Sequence, residues 1–309
     1  DMQKKTFDFL SKYNVCYSFM GHTVYKFRTQ LAIFRARKIL TFCQANYSFY
    51  AQKNFKDFSW NILETKKYLK LLNNLNKNNV NDYWKKRLKG KSNYEDANVA
   101  SKTVTITNSY PKNVIFLHIF KDSPFNVIDK DRVFFDYFEW ILKTVSIIKN
   151  SEENWSMRLH PNARRWGENQ FIVFKNLIKN LPKNVILDEN LISNNNLFKI
   201  AKRVVTYSGT SHLEASAFGI KPIIISDVTL SRLNKTYVLK PKNINNYRQL
   251  LLKSSNDKIF SQNKKIKKMS KELIFLRENQ LTLKKKLNGI SIYRGDDLST
   301  FKKEFKIIH

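Results

Sequence analysis

The feature that most constrains this chain is a regular alternation of apolar patterns that begins after Pro111. Residues 113–120 (Asn113, Val114, Ile115, Phe116, Leu117, His118, Ile119, Phe120) form an almost unbroken apolar run rich in branched and aromatic side chains. That is the pattern of a strand buried on both faces. The spacing of Phe134, Tyr137, Ile141, Val145 and Ile148 then predicts a helix over 133–150. Further strands follow over 155–159, 185–187, 203–207 and 222–226, with a sixth short one over 237–239. Helices over 169–181, 191–201 and 211–218 separate the first four of these. Strands and helices alternating at this interval predict an α/β fold with a parallel sheet covered on both faces. Residues 258–287 read as a long basic helix or pair of helices with a solvated charged face.

The first hundred residues are less regular. A short apolar and aromatic strand is expected over 14–19, ending at Met20-Gly21-His22, then a helix over 24–40 carrying Phe27, Leu31, Phe34 and Ile39, and a second strand over 39–43. The Lys- and Asn-rich stretch 71–82 reads as a surface connection, 82–88 as a short helix, and the polar stretch 89–108 as a linker. The expected division is therefore 1–110, 111–257 and a basic helical segment 258–309, within a chain of 309 residues that has room for about two domains.

Composition removes several classes. An apolar fraction of 42% with 14% aromatic residues excludes a disordered chain. No apolar run approaches the ~18 residues a membrane-crossing helix needs. Two cysteines, Cys16 and Cys43, cannot build a disulfide framework, and a reducing, cytoplasmic setting is expected. The chain opens on Asp1 with no secretory pattern and reads as lacking an upstream portion. The net charge of +31 calls for a polyanionic neighbour, yet the Lys and Asn richness follows equally well from a biased base composition, because the lysines are spread along the chain. No nucleic-acid partner is expected: the aromatics lie mainly inside apolar runs, and no recognisable RNA- or DNA-binding motif occurs.

In an open parallel sheet, ligands gather at the carboxyl ends of the strands. Three expected strand-to-helix loops there carry unusual residues: Lys121-Asp122-Ser123-Pro124, Arg158-Leu159-His160-Pro161-Asn162, and Ser208-Gly209-Thr210-Ser211 followed by His212-Leu213-Glu214. Hydroxyls and free amides at a helix start favour a bound anion, and Gly209 admits close approach. The same residues read equally as an N-cap with a capping box from Ser211 to Glu214. His160 is either a hydrogen-bond donor to a phosphate or a histidine satisfied by a nearby carbonyl. Asp122 is a general base, a nucleophile or a cap. His118, inside the apolar run, reads as a core residue. In the first part of the chain His22 lies at a strand-to-helix junction, and Glu95-Asp96 is an acidic pair in a basic stretch.

At these residues the sequence resembles a family. Arg158-Leu159-His160-Pro161 and Ser208-Gly209-Thr210-Ser211 with Glu214 resemble the His-Pro and Ser/Thr motifs of bacterial GT-B glycosyltransferases that use CMP-activated sugars, namely sialyltransferases and capsular 3-deoxy-manno-octulosonic acid (Kdo) transferases. Residues 116–124, Tyr137-Phe138-Glu139-Trp140, residues 155–161 and Gly219-Ile220-Lys221-Pro222 look like the C-terminal domain of the capsular group. Residues 21–25 and 87–90 resemble its N-terminal domain. The resemblance implies two Rossmann-like domains facing across a cleft, the N-terminal one short here. It implies that Arg158, His160, Pro161, Ser208, Gly209, Thr210, Ser211 and Glu214 bind the donor nucleotide, that Asp122 and His160 are catalytic, and that His22, Glu95 and Asp96 lie on the acceptor side. It further implies transfer of Kdo or a related acidic sugar from CMP to a surface glycan or glycolipid, with no metal or other cofactor, at the cytoplasmic side of the inner membrane, where the basic surface meets anionic lipid or polysaccharide. A UDP-sugar transferase or epimerase, a basic nucleic-acid-binding protein, and an inactive assembly scaffold are the competing readings.

Overall fold

The computed structural model describes residues 2–15, 17–20, 26–45, 48–51, 72–91, 110–120, 133–163, 167–178, 180–189, 192–226, 230–231, 234–276, 278, 286–287 and 290–291. Its contacts group the chain into two units, Asp1–Tyr68 with Arg277–His309, and Leu69–Leu276.

In the first unit, helix α1 (Met2–Lys12) precedes strand β1 (Tyr17–Met20), helix α2 (Lys26–Ala36) and strand β2 (Leu40–Ala45). β1 and β2 pair in parallel, so α2 is the crossover of a βαβ unit. Strand β3 (Ser48–Ala51) adds antiparallel to β2. Leu10, Ile33 and Ile39 form a small apolar cluster beneath these elements.

The second unit holds the regular alternation. Helix α3 (Lys77–Leu88) leads to strands β4 (Asn113–Phe116), β5 (Trp155–Arg158), β6 (Val185–Asp188), β7 (Arg203–Thr206) and β8 (Ile223–Ile224). All pair in parallel, in the order β6-β5-β4-β7-β8. The helices between them are α4 (Tyr137–Ile148), α5 (Gln170–Leu177), α6 (Asn194–Ile200) and α7 (Ser211–Ala217); α8 (Ile244–Leu252) and α9 (Lys264–Phe275) follow. This is the α/β, Rossmann-like class that the alternation predicts. Strand polarity sorts the core into two layers. Ile115, Met157 and Val205 pack with Trp140, Ile141, Phe174 and Tyr247, whereas Val114, Phe116 and Val204 pack with Leu197, Phe198 and Ala215.

Several expected boundaries move. The helix expected over 82–88 starts at Lys77, because the Asn76 side chain caps it by accepting from Asn78 N–H at 2.9 Å. Asn169, Asn243 and Asn263 cap α5, α8 and α9 in the same way. Four of the asparagines in this Asn-rich sequence thus serve as helix caps. The strand expected at 237–239 is a 3-10 turn (Lys235–Tyr237), after which Leu239 bridges Ile223. The expected basic helix 258–287 is broken: a 3-10 turn (Lys258–Phe260) precedes α9, which packs on α7 and α3 through Ile266, Leu273 and Phe275 while Lys264, Lys265, Lys267 and Lys268 stay exposed. Residues 92–109, which carry most of the expected linker, lie outside the described residues.

At the amino edge of the sheet Arg203 is fully buried between the rings of Trp155 (5.0 Å) and Phe260 (4.6 Å). Its guanidinium donates to the carbonyls of Leu251 (2.5 Å) and Lys253 and lies 3.5 Å from Glu153. Burial pulls its pKa down to about 10 against the opposing pull of Glu153. Arg203 therefore ties the end of α8 to the sheet. Arg203→Met keeps the apolar contacts but strips two buried carbonyls and Glu153 of their donor. We expect it to cost about 3 kcal/mol in a denaturant titration; a loss below about 1 kcal/mol would contradict this role.

Candidate functional site

The strand order reverses at β4. From β4 the chain steps outward through β5 to β6, then returns to the other side of β4 as β7. At such a reversal the strand-to-helix connections part and leave a crevice at the carboxyl edge, the general location of ligands in such sheets; residues 121–132, after β4, lie outside the described residues. Phe116, Arg158 and Thr206 stand in one register row. Two residues further along each strand come His118, His160 and Ser208. The imidazoles of His118 and His160 are 5.8 Å apart between ring centres, and both are half-buried.

His160 behaves as a neutral donor. Its Nδ1 accepts from Asn162 N–H at 3.2 Å, so the ring hydrogen sits on Nε2. Burial, and then the neighbouring His118, push its pKa down to about 3. The His160 backbone N–H donates to Gln170 Oε1 at 2.7 Å, and Gln170 Nε2 donates to the His118 carbonyl at 2.7 Å. His118 N–H donates to the Tyr137 hydroxyl, whose pKa burial raises. Its Nδ1 lies 3.3 Å from the Ile119 carbonyl.

Across the crevice Ser208, Gly209, Thr210 and Ser211 are half-buried at the start of α7. Gly209 N–H donates to Thr206 Oγ1 at 3.2 Å, and the Gly209 carbonyl lies 2.6 Å from His212 Nδ1. A Cβ on Gly209 would stand 3.1 Å from Thr206 Oγ1 and 3.3 Å from Ser211 Oγ, so a side chain there requires these hydroxyls to give way. Thr210 occupies the cap position without a side-chain cap bond. The capping box expected from Ser211 to Glu214 is replaced: Glu214 takes Arg87 Nη2 at 2.5 Å and Asn194 Nδ2 at 2.9 Å.

His160, Pro161 and the 208–211 loop are thus brought to one edge of the sheet, and two expected donor residues are not. Arg158 is 2% exposed; it pairs with Asp188 at 2.7 Å and donates to the Ile192 carbonyl at 2.6 Å. Asp188 also accepts from Tyr110, whose hydroxyl pKa is raised by burial first and by Asp188 next. Arg158 points back along its strand face into this buried network, as strand alternation requires, and leaves the loop to His160. Glu214 is likewise engaged by Arg87 of α3, which lies in the same unit. Asp122, His22, Glu95 and Asp96 lie outside the described residues.

Sequence reasoning missed three residues here. His118 stands beyond the end of β4 beside His160 rather than within the core. Gln170 and Glu168 are buried beneath both loops. The signal for His118 was its register: it occupies on β4 the place that His160 occupies on β5. Among the described residues, no group of three His, Cys, Asp or Glu side chains could hold a metal ion, and no helix is long and apolar enough to cross a membrane.

No protein-family model and no curated protein matches the sequence. Among solved structures, the chain is similar to KpsC of Thermosulfurimonas dismutans, a beta Kdo 2,4 transferase, at 12% identity and a TM-score of 0.45, over 82% of this chain and 78% of that one. It is also similar to the UDP-GlcNAc 2-epimerase of Methanocaldococcus jannaschii, at 16% identity and a TM-score of 0.38, over 89% of this chain and 79% of that one. The α/β class assigned here stands on the sheet itself.

The depressed pKa of His160 has a consequence for stability. Between about pH 6.5 and 3 the unfolded chain carries a proton on this ring that the folded chain lacks, so acidification favours unfolding. This group alone removes about 1.4 kcal/mol per pH unit in that window. In urea titrations from pH 6.5 to 4.5, wild type should lose that much more per unit than His160→Gln. A difference that does not change with pH would contradict the buried neutral imidazole.

Proposed function

We propose that this chain is a nucleotide-sugar glycosyltransferase that moves an acidic sugar, Kdo or a related ulosonic acid, from its CMP donor onto a surface glycan or glycolipid. The observation that carries the reading is that His118 and His160, 5.8 Å apart between ring centres, and Ser208 each follow by two residues a strand end held in one register row at the strand-order reversal, on the loops whose His-Pro and Ser/Thr sequences resemble those of CMP-sugar transferases.

In this reading the donor phosphate lies between His160 Nε2–H and the Ser208–Ser211 loop. A neutral imidazole brings a directed hydrogen bond and no charge. The hydroxyls and backbone amides of 208–211 supply the remaining fixed dipoles for the leaving CMP as the sugar–phosphate bond breaks. Asp122 is the proposed carboxylate at the anomeric carbon, as nucleophile or base, and His22, Glu95 and Asp96 the proposed acceptor-side groups. Arg158 and Glu214 act at one remove, since their ion pairs hold the ends of β5 and α7 in place. The excess positive charge attracts an anionic acceptor or membrane face.

A thermal-shift panel of CMP, UDP, GDP and ADP tests the reading. CMP at about 100 times its dissociation constant should add roughly 2.7 kcal/mol to the folded state, and His160→Ala and Ser208→Ala should each weaken CMP binding about tenfold, the loss of one hydrogen bond to a charged group. Stabilisation by UDP in place of CMP would favour the UDP-sugar transferase or epimerase. Stabilisation by none of the four would overturn the proposal.

A further inference from the structure

Two buried polar side chains in the second unit have no part in the reading above. Gln170 is 3% exposed and Glu168 is 4% exposed, and both bond to the backbone just beyond β4 and β5. The chain reaches them through a turn in which Gly167 has φ of 64°, a conformation that favours glycine. Gln170 is the first residue of α5, and Asn169 caps that helix without help from Gln170.

The Gln170 carboxamide makes three bonds, and two of them join different loops. It accepts from His160 N–H at 2.7 Å, donates to the His118 carbonyl at 2.7 Å and donates to Glu168 Oε1 at 2.9 Å. Glu168 Oε1 also accepts from Phe120 N–H at 3.1 Å, which ties down the backbone four residues past β4. The sheet ladder beside these loops ends with Leu117 N–H on the Arg158 carbonyl at 3.0 Å. Beyond that bond, Gln170 takes over the work of the ladder. It cross-links the backbones of the two histidines where direct strand pairing has ceased.

We propose that Gln170, oriented by Glu168, is a positioning residue that holds His118 and His160 as one pair, and that this pair takes the phosphate of a nucleotide. A single imidazole would bind an anion weakly; a second ring held at fixed separation adds a partner without an ordering cost at the moment of binding, and His118 donates to the phosphate once its second ring nitrogen is protonated. Gln170 touches no ligand and acts through the backbones of both histidines. The inference rests on the anion-binding reading of the crevice.

The test separates the two claims. Gln170→Met keeps the length and bulk of the side chain and removes all three bonds. Gln170→Glu keeps an acceptor for His160 N–H and removes the donor to His118. The imidazole signals of both variants, followed by NMR, test positioning without any ligand. Both histidines should move in Gln170→Met, and His118 should move in Gln170→Glu. Binding of CMP and of cytidine by calorimetry tests the phosphate role. CMP affinity should fall about tenfold in Gln170→Met, with cytidine affinity within about twofold of wild type. Folded variants with wild-type histidine signals would overturn the positioning role, as would equal weakening of CMP and cytidine, which marks a merely structural residue. Wild-type protein that binds no CMP would sink the nucleotide reading, and the histidine signals would still decide the positioning claim. Should Gln170→Met fail to fold, Gln170→Glu carries the same comparison.

Discussion

Everything in the second unit depends on β4 being paired on both sides. A strand whose N–H and C=O groups are engaged by β5 and β7, and whose faces are covered by two apolar layers, has no edge left to offer. The chain must therefore grow outward from β4 in one direction and cross over it to grow in the other. Right-handed crossovers place the helices of the two halves on opposite faces. The loops from β4 and β7 then part at the carboxyl edge, and the crevice between them is a consequence of topology before any side chain is considered. His118, His160 and Ser208 to Ser211 stand at that edge because they follow strands held in register at Phe116, Arg158 and Thr206.

Burial then determines which polar residues remain for chemistry. Arg158 and Glu214 sit in motif positions that suggest ligand binding, yet each is drawn into an interior ion pair, with Asp188 and with Arg87. A charge with so little access to water is held by its partner, and separating the two would strand both. Their contribution is to hold the β5 and α7 ends. The half-buried groups are the ones left at the crevice: a histidine kept neutral by its surroundings, three hydroxyls and a glycine turn closely approached by two of its neighbours' hydroxyls. Such a site discriminates by the direction of its hydrogen bonds more than by charge, in a protein whose net charge is +31.

The alternation of strands and helices was legible because a doubly covered parallel sheet leaves continuous apolar runs, and 113–120 is the clearest of them. The convergence of the His160 and Ser208 loops followed from it. Helix α8 was not legible: its signal is an Asn243 cap and a Tyr247, Leu250, Leu251 stripe within an Asn-rich stretch. The start of α3 was hidden for the same reason, since asparagine reads as loop until its capping bond is seen. Glu168 and Gln170 carried no periodic signal at all, because their partners are backbone groups on other strands. Arg158 misled because strand alternation turns its side chain toward Asp188, and only the register with β6 reveals that partner.

In the proposed function the crevice between the β4 and β7 loops receives the phosphate of a cytidine nucleotide. A crystal structure of the protein with CMP tests it most directly. The account predicts phosphate oxygens within about 3 Å of His160 Nε2 and of the amides or hydroxyls of Ser208 to Ser211, with His118 on the same side and Gln170 still bridging the two histidine backbones. CMP ordered elsewhere, with the crevice occupied by water alone, would contradict it.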